Sequence, residues 1–368
     1  MTAIDVRPTP DAEAVAAAVA AALRTIDANL AEFGDRYPGD TTVRGRYRAR
    51  DGNVGWTTSF WPGMLWLASS LTGSPRYAEA AAAHVSSFAS RIASRTDVDT
   101  HDLGFLYTLS CVVPWERVGD PVARAAAVDA ADHLVTRVLP AAGIIQAWGD
   151  LGDERQRGRT IIDSLMNTPL LFWAGYSDIA QRHVEQLRDH ILRPDNTTFH
   201  TFYWDPATGA PLRGETEQGD SDESCWARGQ AWGIYGFALN HRHTGDPSFR
   251  DAARRCADRF LAHLPADGVP YWDLVFGDGS GEERDSSAAA IAVCGLLELG
   301  EPRYVEAALR ILGSLMDDYV DPSANALLVH GVYDKPKGVG VDEGNLWGDY
   351  FYLEALTRVT LPDWNDPW

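Results

Sequence analysis

The chain has 368 residues, of which 45% are hydrophobic and 23% charged, and this composition excludes a disordered or collagen-like polymer. Its formal net charge is −20, from 32 Lys and Arg against 52 Asp and Glu, which argues against a nucleic-acid partner and an anionic membrane partner. The 4 cysteines are far apart and include no CxxC pair, a pattern typical of reduced thiols in a cytosolic protein.

The first predicted element is an amphipathic helix that begins in an alanine-rich run. The run from Ala14 to Leu23 is apolar but too short to span a bilayer. Asp11 and Glu13 stand where a secretory signal would carry basic residues. We therefore expect this helix to continue to Phe33 in a cytoplasmic protein that has no targeting segment.

A short punctuation recurs along the rest of the chain. Gly is followed by Asp, Ser or Glu and then by Pro at residues 73–75, 119–121, 245–247 and 300–302. Gly tolerates the left-handed conformation that ends a helix, Asp or Ser caps the next helix, and Pro is favoured at its first position. Glu301 is a poorer cap, and residues 175–178 fill the same role without Pro. Each site predicts the end of one helix and the start of another.

Apolar and often aromatic stretches precede these sites, and amphipathic stretches follow most of them. The apolar stretches are FWPGMLWLASSLTG, DLGFLYTLSCVV, SLMNTPLLFWAGY, ARGQAWGIYGFALN, SSAAAIAVCGLLELG and WGDYFYLEALTRV. Helices that are apolar on nearly all sides belong inside a fold, and one-sided helices belong outside. Six pairs of this kind predict an all-α fold, an (α/α)6 barrel in which six helical hairpins close into a toroid.

The remaining segments complete the predicted architecture. Residues 198–204 and 269–276 are strand-like, and we expect them to form short β-hairpins on one rim of the barrel. Because we find no regular βαβ alternation and no low-complexity linker, the sequence predicts a single catalytic domain over residues 1–368.

Polar residues stand at the starts of most predicted inner helices, and parallel helices in a ring would gather them at one end. These residues are His101, Asp102, Asp163, Trp226, Arg228, Gln230, Asp285 and Asp349. A single Asp at such a position is most simply a helix cap. Capping does not require Trp, Arg, His and Gln beside it, so we interpret the group as a candidate active site.

Asp163 is the most informative of these residues. It lies among Ile161, Ile162 and Leu165, and desolvation by such neighbours would raise its pKa towards that of a usable general acid. Asp102 offers a second carboxylate from a separate helix. Two carboxylates facing one cleft are the usual equipment of glycoside chemistry, although the sequence does not give their separation.

Aromatic and basic side chains could complete a sugar site. Flat apolar faces for sugar rings are offered by Trp56, Phe60, Trp61, Trp148 and Trp232, although Phe60 and Trp61 could equally be core residues. Arg228 in an apolar helix start needs an anion, either an internal carboxylate or a substrate carboxylate. His200 and Gln218 lie in polar surroundings and could donate hydrogen bonds.

A metal phosphohydrolase of the HD type is an alternative interpretation of His101 and Asp102. It would require further ligands, but His84 and His133 fall on alanine-rich outer helices. The remaining histidines, such as His183, His190, His241 and His263, are typical of solvated outer positions. We therefore predict no metal and no organic cofactor.

The motifs HDLGFLY, IIDSLMNTPLLFWA, WARGQAWGIYGFA, DSSAAAIA and GDYFYLEAL occur in that order. The chain from about Trp56 to Leu356 thereby resembles the unsaturated glucuronyl hydrolases of glycoside hydrolase family 88. The barrel of that family agrees with the helix count above.

The resemblance implies a distinctive reaction on small oligosaccharides left by polysaccharide lyases, whose terminal uronate carries a C4=C5 double bond. A carboxylic acid protonates C4, water adds at C5, and the resulting hemiketal opens to release a keto acid. Asp163 would be the general acid and base, and Asp102 the second essential carboxylate, with His101 beside it as a possible orienting group. The implied substrate-binding residues are His200, Gln218 and Arg228, with Trp56, Trp148 and Trp232 lining the cleft.

Several alternatives remain open from the sequence. Related rhamnogalacturonyl or ulvan-type hydrolases share this chemistry, a catalytically idle relative would only bind sugar, and an inverting glycosidase would act on saturated sugars. Lys335 and Lys337 could meet a sulfate or a second uronate, or be solvated loop charges. A Ser-rich sulfate-recognition pattern known from some relatives is not found near that loop, so a preference for sulfated disaccharides is not predicted.

Overall fold

The computed structural model describes residues 8–153 and 155–368, and these residues are mostly helical. Their fourteen α-helices are Ala12–Phe33 (α1), Phe60–Thr72 (α2), Pro75–Ala83 (α3), Val85–Ala93 (α4), Leu103–Tyr107 (α5), Val113–Val118 (α6), Pro121–Val135 (α7), Thr168–Ala174 (α8), Ser177–His190 (α9), Ala227–Thr244 (α10), Pro247–Ala262 (α11), Ser286–Leu299 (α12), Pro302–Asp318 (α13) and Leu346–Thr360 (α14). A π-helical turn, Thr108–Val112, joins α5 to α6, and a 3₁₀ helix, Ile162–Met166, precedes α8.

The apolar helices contact one another in a closed series. Helix α2 packs against the π-helical turn after α5, α5 against α8, α8 against α10, α10 against α12, α12 against α14, and α14 against α2. Burial is continuous from Ala227 to Asn240 in α10, as expected for a helix surrounded on all sides. Helix α11 instead buries Phe249, Ala253 and Cys256, with their neighbours on one face, and rests on α10 from outside.

The punctuation sites end and start helices largely as predicted. Gly73, Gly119, Gly175, Gly245 and Gly300 all follow helices with φ between 67° and 90°, the left-handed conformation that glycine tolerates. Asp120 and Asp246 cap α7 and α11 by accepting backbone N–H groups, as predicted, and Glu301 makes no side-chain cap. The prediction for Ser74 was wrong: it makes no side-chain cap, and its backbone N–H is bound by the Thr72 hydroxyl.

Helix α1 is, in the described part of the chain, the one helix long and apolar enough to cross a membrane by length and composition. Its buried side chains lie on one face, and it packs on α14 and α2. Phe33 meets Trp61 edge-on with ring centroids 6.0 Å apart, and Asn29 donates to the carbonyl of Asn325 at 2.7 Å. The apolar face of α1 is therefore used within the fold.

Short antiparallel strands pair near the starts of the inner helices. They are Tyr37–Pro38 (β1), Ala49–Arg50 (β2), Val138–Leu139 (β3), Ile144–Ile145 (β4), Arg159–Ile161 (β5), Thr201–Trp204 (β6), Pro211–Glu215 (β7), Gly331–Asp334 (β8) and Val339–Glu343 (β9). Strand β6 lies between β5 and β7, and the other strands form the pairs β1–β2, β3–β4 and β8–β9.

The prediction of a β-hairpin was wrong for one of the two segments. Strand β6 confirms the strand predicted within residues 198–204. Residues 269–276 form only isolated bridges, Trp226 with Asp273 and Tyr271 with Arg284. The reason is that the Asp273 carboxylate accepts the backbone N–H groups of Asp220, Cys225 and Val275, so side-chain bonds replace a strand ladder there.

Candidate active site

A cleft of about 250 Å³ lies where the inner helices begin. It is lined by Trp56, His101, Asp102, Trp148, Asp163, His200, Glu217, Gln218, Trp226, Arg228, Trp232, Tyr333, Asp334 and Lys337. Of the eight polar helix-start candidates, five lie in this set: His101, Asp102, Asp163, Trp226 and Arg228. Gln230, Asp285 and Asp349 do not line the cleft, so the expectation that polar helix starts gather at one end is confirmed for five of the eight. The set also includes the predicted residues Trp56, Trp148, His200, Gln218 and Trp232, but not Phe60 or Trp61.

Capping accounts for some of the aspartates at helix starts but not for Asp102. Asp285 caps α12 by accepting from the backbone N–H groups of Ser287 and Ala288. Asp102 precedes α5 without any side-chain cap bond, and its Oδ2 instead accepts from the Thr100 hydroxyl at 2.7 Å. Asp349 is buried away from the cleft and accepts from the Tyr47 hydroxyl at 3.0 Å.

The two candidate catalytic carboxylates are brought together by the close approach of α5 to the residue that follows the 3₁₀ helix. A Cβ on Gly104 would lie 2.2 Å from Cα of Asn167, so only glycine permits this approach. Asn167 then fixes both sides, because its Oδ1 accepts from the Phe105 N–H at 2.8 Å and its Nδ2 donates to the Asp163 carbonyl at 3.2 Å. Neither residue was predicted to contribute to the site.

His101 lies between the two carboxylates. Its Nε2 is 3.4 Å from Oδ1 of Asp102 and 3.5 Å from Oδ1 of Asp163. One potential ligand atom from each of the three side chains lies within 4.8 Å of the others, a spacing that could also hold a metal ion. Burial, with a smaller contribution from the charge of Arg137, lowers the pKa of His101 to about 3, so its ring is neutral near pH 7.

Burial also shifts both carboxyl groups away from their usual behaviour. It raises the pKa of Asp163 well above the usual value, and the neighbouring Asp102 raises it further, against an opposing effect of Arg228. Burial raises the pKa of Asp102 to about 6, and the Thr100 hydrogen bond limits that rise. The side chains keep 15% and 19% exposure, so they are mostly desolvated but still accessible. The raised pKa of Asp163 predicted from its apolar neighbours is confirmed in direction.

Arg228 is held by an internal anion, which is one of the two partners that the sequence left open for it. Its Nη1 lies 3.0 Å from Oδ2 of Asp285, and its guanidinium also donates to the carbonyls of Val332 and Tyr333. The charge lies over the ring of Trp226, with 4.4 Å between the guanidinium carbon and the ring centroid. The side chain is therefore fixed at the cleft before any ligand arrives.

His200 and Gln218 are joined through the turn after β7. Nδ1 of His200 accepts from the N–H groups of Glu217 at 3.0 Å and Gln218 at 3.3 Å. Burial, with Arg228 and Arg159, lowers the pKa of His200 well below its usual value, so the neutral ring carries its proton on Nε2. The Gln218 amide donates to the Tyr333 carbonyl at 2.7 Å, which ties this turn to β8.

The aromatic residues divide into cleft and core. Trp56 and Trp148 are half-buried at the cleft, and the guanidinium of Arg159 lies 5.0 Å from the ring centroid of Trp148. Trp232 is nearly fully buried, with its ring 5.4 Å from that of Phe105. Phe60 and Trp61 have no exposure at all, which confirms the core interpretation for these two residues.

Some cleft residues were not among the predicted site residues. They are Glu217, Tyr333, Asp334 and Lys337. Tyr333 and Asp334 lie on β8, and no helix-start signal marks that strand. Lys337, whose role was left open, lies at the cleft with its Nζ 2.8 Å from Oδ2 of Asp334, whereas Lys335 pairs with Glu282 and Glu283 away from it.

One of the histidines expected at solvated positions was misplaced. His183 has no exposure and lies on the inward face of α9, whereas His190, His241 and His263 are half-buried. The prediction was wrong for His183 because α9 covers β4, and Ile145 donates its backbone N–H to Nδ1 of His183 at 3.1 Å.

Comparisons with known proteins show the family to which the chain is similar. The family model described as Glycosyl Hydrolase Family 88 matches residues 33–360. The chain is 44% identical over 376 residues to the unsaturated chondroitin disaccharide hydrolase of Streptococcus pneumoniae, which covers 97% of this chain and 94% of that protein.

Solved structures agree over the same length. The unsaturated glucuronyl hydrolase of Streptococcus agalactiae has a TM-score of 0.94 at 43% identity, covering 98% of this chain and 95% of that chain. A mutant of that enzyme complexed with dGlcA-GalNAc6S has a TM-score of 0.86 at 40% identity, covering 100% of this chain and 96% of that chain.

Proposed function

The chain belongs to Glycosyl Hydrolase Family 88, and from this premise we propose that it removes the terminal unsaturated uronate from lyase-generated disaccharides of the glycosaminoglycan type. The enzyme is a glycoside hydrolase, and its partner is a small oligosaccharide. The names of its relatives, which include an unsaturated chondroitin disaccharide hydrolase, support this substrate class.

The observation that carries the proposal is the spacing of the two carboxylates. Atoms of Asp102 and Asp163 lie within 4.8 Å of each other in a cleft walled by Trp56, Trp148 and Trp232. An inverting glycosidase keeps its carboxyl groups about 6.5–9.5 Å apart to admit water between them, so this spacing counts against direct inversion on a saturated sugar. An idle sugar-binding relative would not need a desolvated acid pair.

Asp163 is the general acid and Asp102 the ionised partner. Because burial and the Asp102 charge raise the pKa of Asp163, its carboxyl stays protonated where an exposed aspartate has ionised. It transfers that proton to C4 of the vinyl ether, and positive charge then develops at C5. The Asp163 carboxylate accepts a proton from the water that adds at C5, and the hemiketal so formed opens to the keto acid and the remaining sugar. Net consumption is one water molecule.

The remaining cleft residues bind and orient the sugar. Arg228, already locked by Asp285, presents fixed positive charge to the uronate carboxylate, and the Nε2–H of His200 is a hydrogen-bond donor. Gln218 contributes its amide, and Trp56, Trp148 and Trp232 offer flat faces for the sugar rings. His101 orients Asp102 from 3.4 Å.

The helices support the barrel predicted from the sequence. The closed series of contacts through α2, α5, α8, α10, α12 and α14 is what an inner ring of an (α/α)6 barrel requires, with the one-sided helices outside. We take residues 1–368 as one catalytic domain with β-hairpins on the rim of the cleft. All four cysteines are buried free thiols, which supports a reducing cytoplasm as the compartment.

The test is the ultraviolet absorbance of an unsaturated chondroitin disaccharide incubated with the EDTA-treated protein. Hydration of C4=C5 destroys the conjugated chromophore, so absorbance should fall, at the same rate with and without EDTA because the mechanism routes no step through a metal. Asp163→Asn is the matched control and should leave the trace flat. A flat wild-type trace on chondroitin, hyaluronan and heparin disaccharides would overturn the proposal, and bleaching of rhamnogalacturonan or ulvan fragments alone would assign the alternative substrate class.

A further inference from the structure

His183 and His101 are attached to the same short backbone segment. The N–H of Ile145 donates to Nδ1 of His183 at 3.1 Å, and the N–H of His101 donates to the carbonyl of Ala147 at 2.6 Å. The segment that includes β4 thus links α9, which carries His183, to the residue between the two catalytic carboxylates. Both rings are fully buried or nearly so.

Each ring has one nitrogen with a role and one without. Because Nδ1 of His183 accepts a backbone N–H, its neutral ring carries the proton on Nε2, and that buried donor has no hydrogen-bond partner among the described residues. In His101, Nε2 faces the two carboxylates, and Nδ1 is buried and likewise lacks a partner within residues 8–153 and 155–368. A buried donor and a buried acceptor left over on two residues that bond to the same backbone segment need an explanation.

We propose that His183 is a positioning residue that fixes the tautomer of His101, directing its Nε2–H towards the bare Nδ1 of His101 so that His101 keeps its own proton on Nε2. The two atoms share no direct hydrogen bond in the described structure, and we therefore include one bridging water molecule between them. The two residues bond to backbone groups only two positions apart, the N–H of Ile145 and the carbonyl of Ala147. Burial, with a smaller contribution from His101, lowers the pKa of His183.

The tautomer matters because it decides what His101 does to the acid pair. With the proton on Nε2, His101 donates towards the ionised Asp102 and leaves the proton of Asp163 free for the substrate. With the proton on Nδ1, the bare Nε2 would accept the Asp163 proton and hold it away from C4. This inference rests on the proposed roles of Asp102 and Asp163, but the tautomer itself is measurable without turnover.

Two substitutions separate the proposed role from a structural one. His183→Asn places an amide oxygen where Nδ1 accepts from Ile145 but removes the donor at Nε2. His183→Gln keeps a donor near Nε2 and loses the bond from Ile145. If His183 positions His101, His183→Asn lowers kcat about tenfold with little change in KM, and His183→Gln retains most of the wild-type kcat. A structural role through Ile145 gives the reverse order.

The direct readout is the ¹⁵N chemical shift of the ring nitrogens of His101, measured on histidine-labelled full-length protein, with thermal unfolding alongside. We expect a protonated Nε2 and a bare Nδ1 in the wild type and in His183→Gln, and a mixed or reversed tautomer in His183→Asn. His84→Asn, at a buried histidine outside the cleft, is the control and should change neither. A wild-type proton on Nδ1, or an unchanged tautomer in His183→Asn, overturns the inference. The result stands whether or not the chondroitin disaccharide is turned over.

Discussion

The buried ionisable groups at the two ends of the inner helices differ in their pKa values and in their partners. Where α10 and α14 begin, Asp163 and His101 are buried with pKa values shifted towards their neutral forms. Where the same helices end, Arg358 contacts Glu354 at 3.0 Å and Asp366 at 3.1 Å, and the charges stabilise one another. Burial would raise the pKa of Asp366, but Arg358 and Arg242 hold it below the usual value.

The comparison shows that neither burial nor cavity size marks the functional end. The end of the inner helices that holds the Arg358 and Arg242 ion pairs is called the paired end. A cavity of about 370 Å³ lies there, lined by Trp66, Phe172 and Trp364 among others, and it exceeds the 250 Å³ of the catalytic cleft. At that end the carboxylate of Asp366 is held in ion pairs with Arg242 and Arg358. The cleft instead brings together two carboxyl groups whose pKa values are both raised. A close pair of desolvated carboxyl groups, not cavity volume, distinguishes the site.

The largest expected effect comes from removing the acid at the catalytic end. Asp163→Asn should lower kcat about a thousandfold, because no other group supplies the proton to C4. Since an ionised Asp163 is costly in the folded state, the free energy of unfolding should be unchanged or higher. Disaccharide kinetics and urea unfolding followed by circular dichroism measure the two quantities, and near-normal turnover would contradict the assignment.

The same experiment at the paired end should give the opposite result. Arg358→Met leaves Glu354 buried without its cation and leaves Asp366 with Arg242 alone, which costs about 3–5 kcal/mol of unfolding free energy. The folded variant should keep a kcat within about twofold of the wild type, because Arg358 touches no cleft residue. Adding Glu354→Gln, which removes the unpaired charge, should restore part of the stability. A variant that unfolds normally but turns over poorly would break the division between the two ends.

Tryptophans at the two ends provide a smaller contrast. Trp148→Ala removes a half-buried ring from the cleft and should raise KM about tenfold with little change in kcat, since this ring packs on Arg159 and offers a face to the sugar. Trp173→Ala, at the half-buried ring beside the larger cavity, is the matched control and should leave KM unchanged. Initial rates over a range of disaccharide concentrations separate the two parameters. Equal KM values for the two variants would remove Trp148 from the binding surface.

The sequence was informative where a local signal exists and silent where contacts are distant along the chain. Helix ends, marked by Gly and Pro, and the apolar surroundings of Asp163 are local, and these predictions were confirmed. Gly104 approaches Asn167 closely, and the neighbouring hydrogen bond from Phe105 to Asn167 joins residues 62 positions apart. No local pattern near these residues predicts the contact.

The prediction that His183 is exposed to solvent was wrong for the same reason. His183 sits in a polar stretch of α9, and only the fold shows that β4 lies against it. The cleft residues on β8, such as Tyr333, were likewise missed because a short rim strand has no helical periodicity to read. Residue types therefore predicted the chemistry, and the fold alone supplied the positions of the supporting groups.

The finest test of the catalytic end changes one hydrogen bond to the acid pair. The Thr100 hydroxyl donates to Asp102 and limits the rise of that carboxyl's pKa to about 6. Thr100→Val removes the donor and keeps the shape, so the pKa of Asp102 should rise further. If catalysis requires ionised Asp102, the acidic limb of the kcat/KM profile moves to higher pH, while the basic limb, set by Asp163, stays in place.

The unfolding free energy of Thr100→Val should also depend on pH. A carboxyl whose folded pKa lies above its unfolded value is favourable to folding at low pH, and that contribution is lost as pH rises through the folded pKa. Thr100→Val should therefore be less stable than the wild type mainly above about pH 6, where Asp102 must ionise without its donor. Thr96→Val, at an exposed neighbouring threonine, is the control. Superimposable pH profiles for Thr100→Val and the wild type would show that Asp102 need not be ionised, and would leave Asp163 as the one carboxyl whose protonation state governs the rate.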